Sequence, residues 1–348
     1  MEAMNLKLII IINVISFSFS VFCFSKIRNS FPSQCKSGQI EEMNNKSNLL
    51  KSQSPFADEI TKSMEAEFEK SNAEVVLLGN VGQDVSNNKF KVPSQFFDKK
   101  SHKYMHTGLA YKDKITDTWK VIHLLNGFDK CGEITNKSTI SNGKLRTFFS
   151  SNYKMDILYS IPPIEFQKKL KDAISNAETL HQSDYSAIAN PSSDKKQNSN
   201  QFILNIIATA QKGNEPCNSE IFKVETSGQF KHKSPNERSR MEAKICAETL
   251  GLEPSIVIAP RYQSLALSLA PRLQKNVTIS DHSYRSQISN NFPFVSAATV
   301  FEYLKKTVPG TSEFKQICPK KIGCDVDPLT LSNYLMDYGE KETIGQVN

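Results

Sequence analysis

The chain has 348 residues, of which 39% are hydrophobic and 23% are charged, with 14 Gly and 15 Pro. This composition excludes a fibrous, collagen-like or wholly disordered protein. The 43 Lys and Arg exceed the 36 Asp and Glu, and the net charge of +7 is spread along the chain. Because nucleic-acid binding calls for a clustered basic stripe, we expect no nucleic-acid partner.

The amino terminus carries the pattern of a secretory signal. Lys7 precedes an apolar run from Leu8 to Phe22, and a basic start followed by an apolar stretch of this size is typical of such signals. The small residues Cys23 and Ser25 predict cleavage after Ser25, with residues 1–25 as the signal peptide and the mature protein in the periplasm. The alternative is an uncleaved helix, because about 20 apolar residues span a bilayer and would anchor the chain to the inner membrane.

The cysteines suit an exported chain. Beyond Cys23 an even number remains, which permits disulfides without fixing their pairing. These are Cys35, Cys131, Cys217, Cys246, Cys318 and Cys324. Only Cys318 and Cys324 lie close together, around a Pro and a Gly, and predict a particular disulfide. For Cys217 and Cys246, buried free thiols are an equal alternative.

Apolar spacing predicts the elements in the first half of the chain. After a polar, flexible leader over residues 26–55, the helical repeat of Phe56, Ile60, Met64 and Phe68 predicts an amphipathic helix. Short apolar runs then predict four strands. The strands cover Glu74–Leu78, Tyr104–Tyr111, Thr118–Leu125 and Met155–Ile161.

Helices dominate the second half. A proline pair at 162–163 ends the last strand and opens the first of three predicted helices. The helices contain Phe166–Leu180, Phe202–Ile207 and Glu237–Leu250. Gly251 stops the third. Because strands cluster early and helices late, we expect an α+β fold, with one domain at 56–310 and a tail with the short disulfide loop at 311–348.

Two histidines and a serine form the candidate catalytic set. His106 and His123 lie on neighbouring predicted strands, and in a hairpin one imidazole can orient the other as a base. Ser199 lies at the start of a predicted helix, where free N–H groups stabilise an oxyanion. We expect the three side chains to converge on one cleft.

Several neighbours complete this hypothesis, and simpler interpretations stand beside it. We expect Tyr104 and Gln197 to line the entrance and Asn198 to hold the helix start. Alternatively, Ser199 caps its helix and the histidines bond backbone groups. Asp281-His282 is interpreted as loop polarity. His102 and His106, four residues apart, could ligate a metal on a helix, but this stretch is predicted to enter a strand. No phosphate-binding loop occurs, so we expect no metal and no cofactor.

Five motifs resemble an uncharacterised bacterial family. They are His106–Ala110, Trp119–Asn126, Tyr185–Pro191, Gln197–Gln201 and Asp281-His282. In this order, from about Ala73 to Leu304, they are similar to domain-of-unknown-function family 2145. Members of that family look like exported proteins of Gram-negative bacteria, in agreement with the predicted signal.

A second, more distant resemblance concerns chemistry. The order of a His-x-Gly strand, a polar residue on the next strand and a helix opening with Asn-Ser is similar to circularly permuted papain-like hydrolases of the NlpC type. The resemblance implies an antiparallel sheet packed against helices, with His106 as base and His123 as orienting group. Ser199 would replace the cysteine nucleophile, and serine needs stronger activation than cysteine.

Two functions follow from the resemblance. One is an exported hydrolase or acyltransferase that acts on amide or ester bonds. The other is a non-catalytic periplasmic protein that uses a degenerate papain-like cleft to bind a ligand or partner, such as a cell-envelope component.

Overall fold

The computed structural model describes residues 54–80, 104–128, 134–150, 156–258, 278–289 and 291–318. Within these ranges a six-stranded sheet carries helices on both faces, and two further strands form a separate two-stranded sheet. This arrangement confirms the predicted α+β class. The predicted signal and all but the end of the predicted leader lie outside the described residues.

The elements are numbered here in chain order. The helices are α1 (Ser54–Lys70), α2 (Leu145–Ser150), α3 (Ile164–Ser175), α4 (Ser199–Ala210), α5 (Glu215–Thr226), α6 (Pro235–Thr249), α7 (Tyr284–Ser289) and α8 (Ala297–Thr307), with a 3₁₀ turn at Ala177–Leu180. The strands are β1 (Val75–Asn80), β2 (His106–Lys112), β3 (Trp119–Phe128), β4 (Ile134–Lys144), β5 (Ile157–Ser160), β6 (Ser255–Ile258), β7 (Asn291–Phe294) and β8 (Lys315–Ile317).

The main sheet is antiparallel throughout, with the strand order β4-β3-β2-β1-β5-β8. The four predicted strands are β1, β2, β3 and β5, and they form its centre. In β1, Leu77 lies opposite Leu109 of β2 and opposite Ser160 of β5. Strands β2 and β3 also pair, and they form the hairpin that was predicted to bring His106 and His123 together.

Alternation along β1 divides the core into two layers. Val76 and Leu78 pack with α1 and α2 on one side, which we call the α1 face. Val75 and Leu77 pack with α3, α4, α6 and α8 on the other side, the α4 face. Successive strand residues point to opposite faces, so an apolar run such as Val75–Leu78 is buried on both sides.

Two parts of the architecture differ from the sequence prediction. Strand β4 was not predicted, because its sequence ITNKSTISNGK lacks apolar alternation and it lies at an edge of the sheet. Strand β8 was not predicted either. It is formed by Lys315–Ile317, within the predicted tail, and pairs with β5.

A disulfide joins α5 to α6. Cys217 and Cys246 are bonded, with their Cα atoms 4.7 Å apart, so the alternative of buried free thiols is wrong for this pair. Cys318 is also disulfide-bonded. Cys324, the partner predicted for Cys318, lies outside the described residues, as do Cys35 and Cys131.

Candidate functional site

The two histidines of the hairpin are hydrogen-bonded to each other. His106 Nε2 lies 2.8 Å from His123 Nδ1. The ladder between β2 and β3 covers Leu109–Lys112 and Trp119–Ile122, and both histidines lie beyond it, away from the connecting turn. The hydrogen bond between the imidazoles therefore joins the two strands beyond the end of their backbone ladder.

Aromatic packing on the α1 face holds this pair. The Phe148 ring of α2 lies 5.9 Å from the His106 ring and 5.1 Å from the His123 ring, measured between centroids. Gly108 makes room for it, because a Cβ there would lie 2.7 Å from Val121 Cγ1 and 3.0 Å from a Phe148 ring carbon. This close approach explains the glycine of the His-Thr-Gly motif.

Burial keeps both imidazoles neutral. Desolvation lowers the pKa of His106 to about 4. The pKa of His123 is lowered well below its ordinary value by burial and, secondarily, by repulsion from His106. One proton lies between the two bonded nitrogens. If His106 Nε2 donates it, then His106 Nδ1 carries a free lone pair and is competent to act as a base.

This pair makes stability depend on pH. The unfolded chain binds a proton on each histidine near pH 6.5, whereas folded His106 resists protonation until about pH 4. We expect these histidines to leave the free energy of unfolding unchanged above pH 6.5 and to lower it as the pH falls from 6.5 towards 4. Denaturant titrations across this range check it. A His106→Gln variant should show a shallower pH dependence, and an unchanged slope would contradict this assignment.

The start of α4 is capped by Asn198. Its Oδ1 accepts from the Gln201 N–H at 2.7 Å, and its Nδ2 donates to the carbonyls of Ala187 and Val295. The alternative that Ser199 is the cap is therefore wrong. Ser199 is the first residue of α4 and only 5% exposed, and no described group hydrogen-bonds its hydroxyl.

We expect Asn198→Ala to destabilise the protein by about 2–4 kcal/mol, because it removes the cap and leaves two buried carbonyls without this donor. Thermal or denaturant unfolding measures the change. Asn214→Ala is the matched control, since Asn214 precedes α5 without a side-chain cap. Equal losses in the two variants would contradict the role given to Asn198.

Asn200 fastens the start of α4 to the start of β2. Its Oδ1 accepts from Thr107 Oγ1 at 3.0 Å, and its Nδ2 donates to the Met105 carbonyl at 3.1 Å. These two residues flank His106, so Ser199 and His106 lie at the same end of β2. However, the imidazole packs on the α1 face, whereas Thr107 faces α4.

No hydrogen bond joins Ser199 to either histidine in the described part of the chain. The structure thus brings His106 and His123 together, and it holds Ser199 at the same strand end without contact. Convergence of the three side chains on one cleft stays a prediction.

The residues predicted to surround the site have other partners. Gln197 is 2% exposed, accepts from the Gln182 N–H and donates to the Leu180 carbonyl, so it does not line an entrance. The Tyr104 hydroxyl donates to Asp156 Oδ1 at 3.0 Å, next to β5. Hydrogen bonds to neighbouring residues therefore account for the positions of the Gln197 and Tyr104 side chains.

Asp281 and His282 hydrogen-bond backbone groups of a loop, which agrees with their interpretation as polar loop residues. Asp281 Oδ2 accepts from the Asn190 N–H at 2.8 Å, and His282 Nε2 lies 2.7 Å from the Ile188 carbonyl oxygen. Two of the five motifs, Tyr185–Pro191 and Asp281-His282, thus hold one loop together in front of α4.

Sequence reasoning assigned no role to Asn126, although it closes the Trp119–Asn126 motif. The residue is 1% exposed, and neither atom of its carboxamide has a described hydrogen-bond partner. The signal that points to it is a polar residue directly after a buried apolar run.

The described residues contain no group of three or more His, Cys, Asp or Glu placed to hold a metal ion. Across the same ranges, none of the helices combines the length and the apolar character that crossing a bilayer would need.

The structure defines an α+β protein in which a neutral histidine pair lies at the end of a central hairpin, beside the buried start of a helix. The model of a bacterial family, described as an uncharacterized protein conserved in bacteria (DUF2145), matches residues 67–304. The chain belongs to this family, as the five motifs predicted. No curated protein and no solved structure matches the chain.

Proposed function

We propose that this protein is a hydrolase or acyltransferase that acts on amide or ester bonds, with Ser199 as nucleophile, His106 as base and His123 as orienting group. The observation that carries the proposal is the hydrogen bond of 2.8 Å between His106 Nε2 and His123 Nδ1. It occupies one nitrogen of His106 and leaves Nδ1 free of any described partner. An orienting group that fixes the tautomer of a base is the recurring arrangement of such sites.

The proposed chemistry has two stages. Ser199 Oγ attacks the substrate carbonyl carbon and passes its proton to His106 Nδ1, and the carbonyl oxygen becomes an oxyanion. His106 then protonates the leaving amine or alcohol as its bond to carbon breaks. In the second stage, water or another alcohol or amine attacks the acyl-serine and loses its proton to His106 Nδ1. The bond between the acyl carbon and Ser199 Oγ then breaks, and His106 returns the proton to Oγ.

The start of α4 supports the charged intermediate. The first N–H groups of a helix have no intrahelical partner. The Asn198 side chain accepts the hydrogen bond from the Gln201 N–H. In this proposal the N–H groups of Ser199 and Asn200 stabilise the oxyanion. The His106 imidazole packs on the α1 face, whereas Ser199 begins the helix on the α4 face. The proposal therefore requires the imidazole to turn past the end of β2 towards Ser199 when substrate binds.

The resemblance to circularly permuted papain-like hydrolases supports the same assignment. In this proposal the antiparallel sheet with α4 at its end is a papain-like core, and serine replaces its cysteine. Serine is not ionised near neutral pH, so the reaction depends more strongly on the base than a cysteine enzyme does.

We also propose that the protein works outside the cytoplasm. Its sequence carries the predicted signal at residues 1–25, and the Cys217–Cys246 disulfide is of a kind that persists in oxidising compartments. Intact mass of the protein from an envelope fraction tests this. A chain that begins near Lys26 is expected, whereas a full-length chain would favour the inner-membrane anchor.

Labelling with a fluorophosphonate tests the proposed nucleophile, because this reagent forms a covalent bond with activated serines. The purified protein should be labelled, and peptide mapping should place the label on Ser199. The Ser199→Ala variant is the control and should remain unlabelled. A label on another serine, or labelling that persists in the variant, would contradict the assignment.

A second candidate function is a non-catalytic binding protein. It is favoured by the packing of both imidazoles against Phe148 on the α1 face and by the lack of a hydrogen bond to Ser199. A folded protein that remains unlabelled by fluorophosphonate would support this alternative.

A further inference from the structure

The Asn126 carboxamide is buried without a partner. Only 1% of the residue is exposed, and both Oδ1 and Nδ2 lack a hydrogen bond within the described ranges. Such an amide has given up its bonds to water and gained none in exchange, which is costly. A group that supplies both a donor and an acceptor from outside the chain would satisfy it.

Asn126 lies on the side of β3 that faces the α4 layer of the core. It shares a strand face with Leu124, which belongs to the core of the α4 face. Across the sheet it lies opposite Ser138, whose Oγ is 3.1 Å from His181 Nε2. The His181 ring meets the Phe202 ring of α4 edge-on, with centroids 6.5 Å apart. Asn126 is thus linked through Ser138 and His181 to Phe202, which lies in the first turn of α4.

We propose that Asn126 recognises the amide group of the substrate, so that the natural substrate is an amide with a free N–H rather than an ester. This inference rests on the proposed function and names its substrate class. Asn126 Oδ1 accepts from the substrate N–H, and Nδ2 donates to a substrate carbonyl oxygen. An ester has no N–H and leaves the buried Oδ1 unpaired, and sites of this kind discriminate strongly.

A matched pair of small probes tests the recognition directly. N-methylacetamide and methyl acetate differ in the N–H that the proposal requires. In ¹⁵N-labelled protein, N-methylacetamide should shift the side-chain amide signals of Asn126, which are assigned by their loss in Asn126→Leu. Binding of methyl acetate should be about tenfold weaker or more. Equal responses to the two probes, or none at Asn126, would overturn the proposal.

The test is independent of catalysis. The Ser199→Ala variant should bind N-methylacetamide as the wild-type protein does. If fluorophosphonate labelling fails while the amide probe still shifts Asn126, the proposed hydrolase is wrong and amide recognition stands. If Ser199 is labelled while the probes bind equally, the hydrolase stands and the substrate class is wrong.

Stability gives a second readout that needs no ligand. Because the unpartnered amide destabilises the free protein, Asn126→Leu should raise Tm by about 2–5 °C. Asn142→Leu is the matched control, since exposed Asn142 accepts a hydrogen bond from the Tyr111 hydroxyl and its replacement should not raise Tm. A lower Tm for Asn126→Leu would show that the amide is satisfied inside the protein, and would overturn the proposal.

Discussion

A His106→Ala variant will react with a fluorophosphonate at least about a hundredfold more slowly than the wild-type protein, because a positioned base contributes about 10²–10⁴-fold. Without the imidazole, nothing accepts the proton of Ser199 Oγ, and serine does not ionise by itself near neutral pH. The rate is measured from the time course of labelling at Ser199.

The fold should survive this substitution. His106 is the first residue of β2 and is half-buried, so its removal costs little of the core. Circular dichroism and thermal unfolding check the variant. His232→Ala is the matched control, since His232 is exposed and should react at the wild-type rate. An unchanged rate in folded His106→Ala would exclude the histidine as the base.

Removing the disulfide will have the largest effect on stability. We expect the double variant Cys217→Ala, Cys246→Ala to lose about 3–4 kcal/mol of the free energy of unfolding, because the bond closes a loop with a sequence separation of 29 residues. Denaturant unfolding measures the loss. A change below about 1 kcal/mol would contradict the estimate, since the chain-entropy argument for such a loop requires more.

The loss should be greatest in α5. Cys217 is the only residue of that helix that is buried, so the disulfide is its main attachment to α6. Hydrogen exchange of the double variant should therefore show α5 opening first, with β1 and α4 protected as before. Uniform loss of protection across the domain would show that α5 is held by other contacts.

Local patterns predicted the elements whose apolar residues repeat regularly. Phe56, Ile60, Met64 and Phe68 indicated α1, and Gly251, with its φ of 82°, ends α6 as predicted. Strand β4 could not be predicted, because its position at the sheet edge imposes no apolar alternation. The Cys217–Cys246 pairing depends on how α5 lies against α6, which no local pattern determines.

The candidate site was predictable only in part. A hairpin places His106 and His123 on the same face, and the imidazole hydrogen bond follows from that. The relation of Ser199 to this pair depends on which face of the sheet α4 covers, and a shift of one residue reverses the face. The sequence also left the N-cap of α4 open, because Asn198 and Ser199 are adjacent polar residues and either residue type suits an N-cap.

The pH dependence of alkylation in a Ser199→Cys variant tests most directly whether Ser199 and His106 form one site. The introduced thiol reacts with iodoacetamide as a thiolate, so the rate reports its pKa without any substrate. If the account is right, that pKa lies below the ordinary value of about 8.5 and rises when His106→Ala is added. A thiol pKa at or above 8.5 that does not respond to His106→Ala would contradict the account.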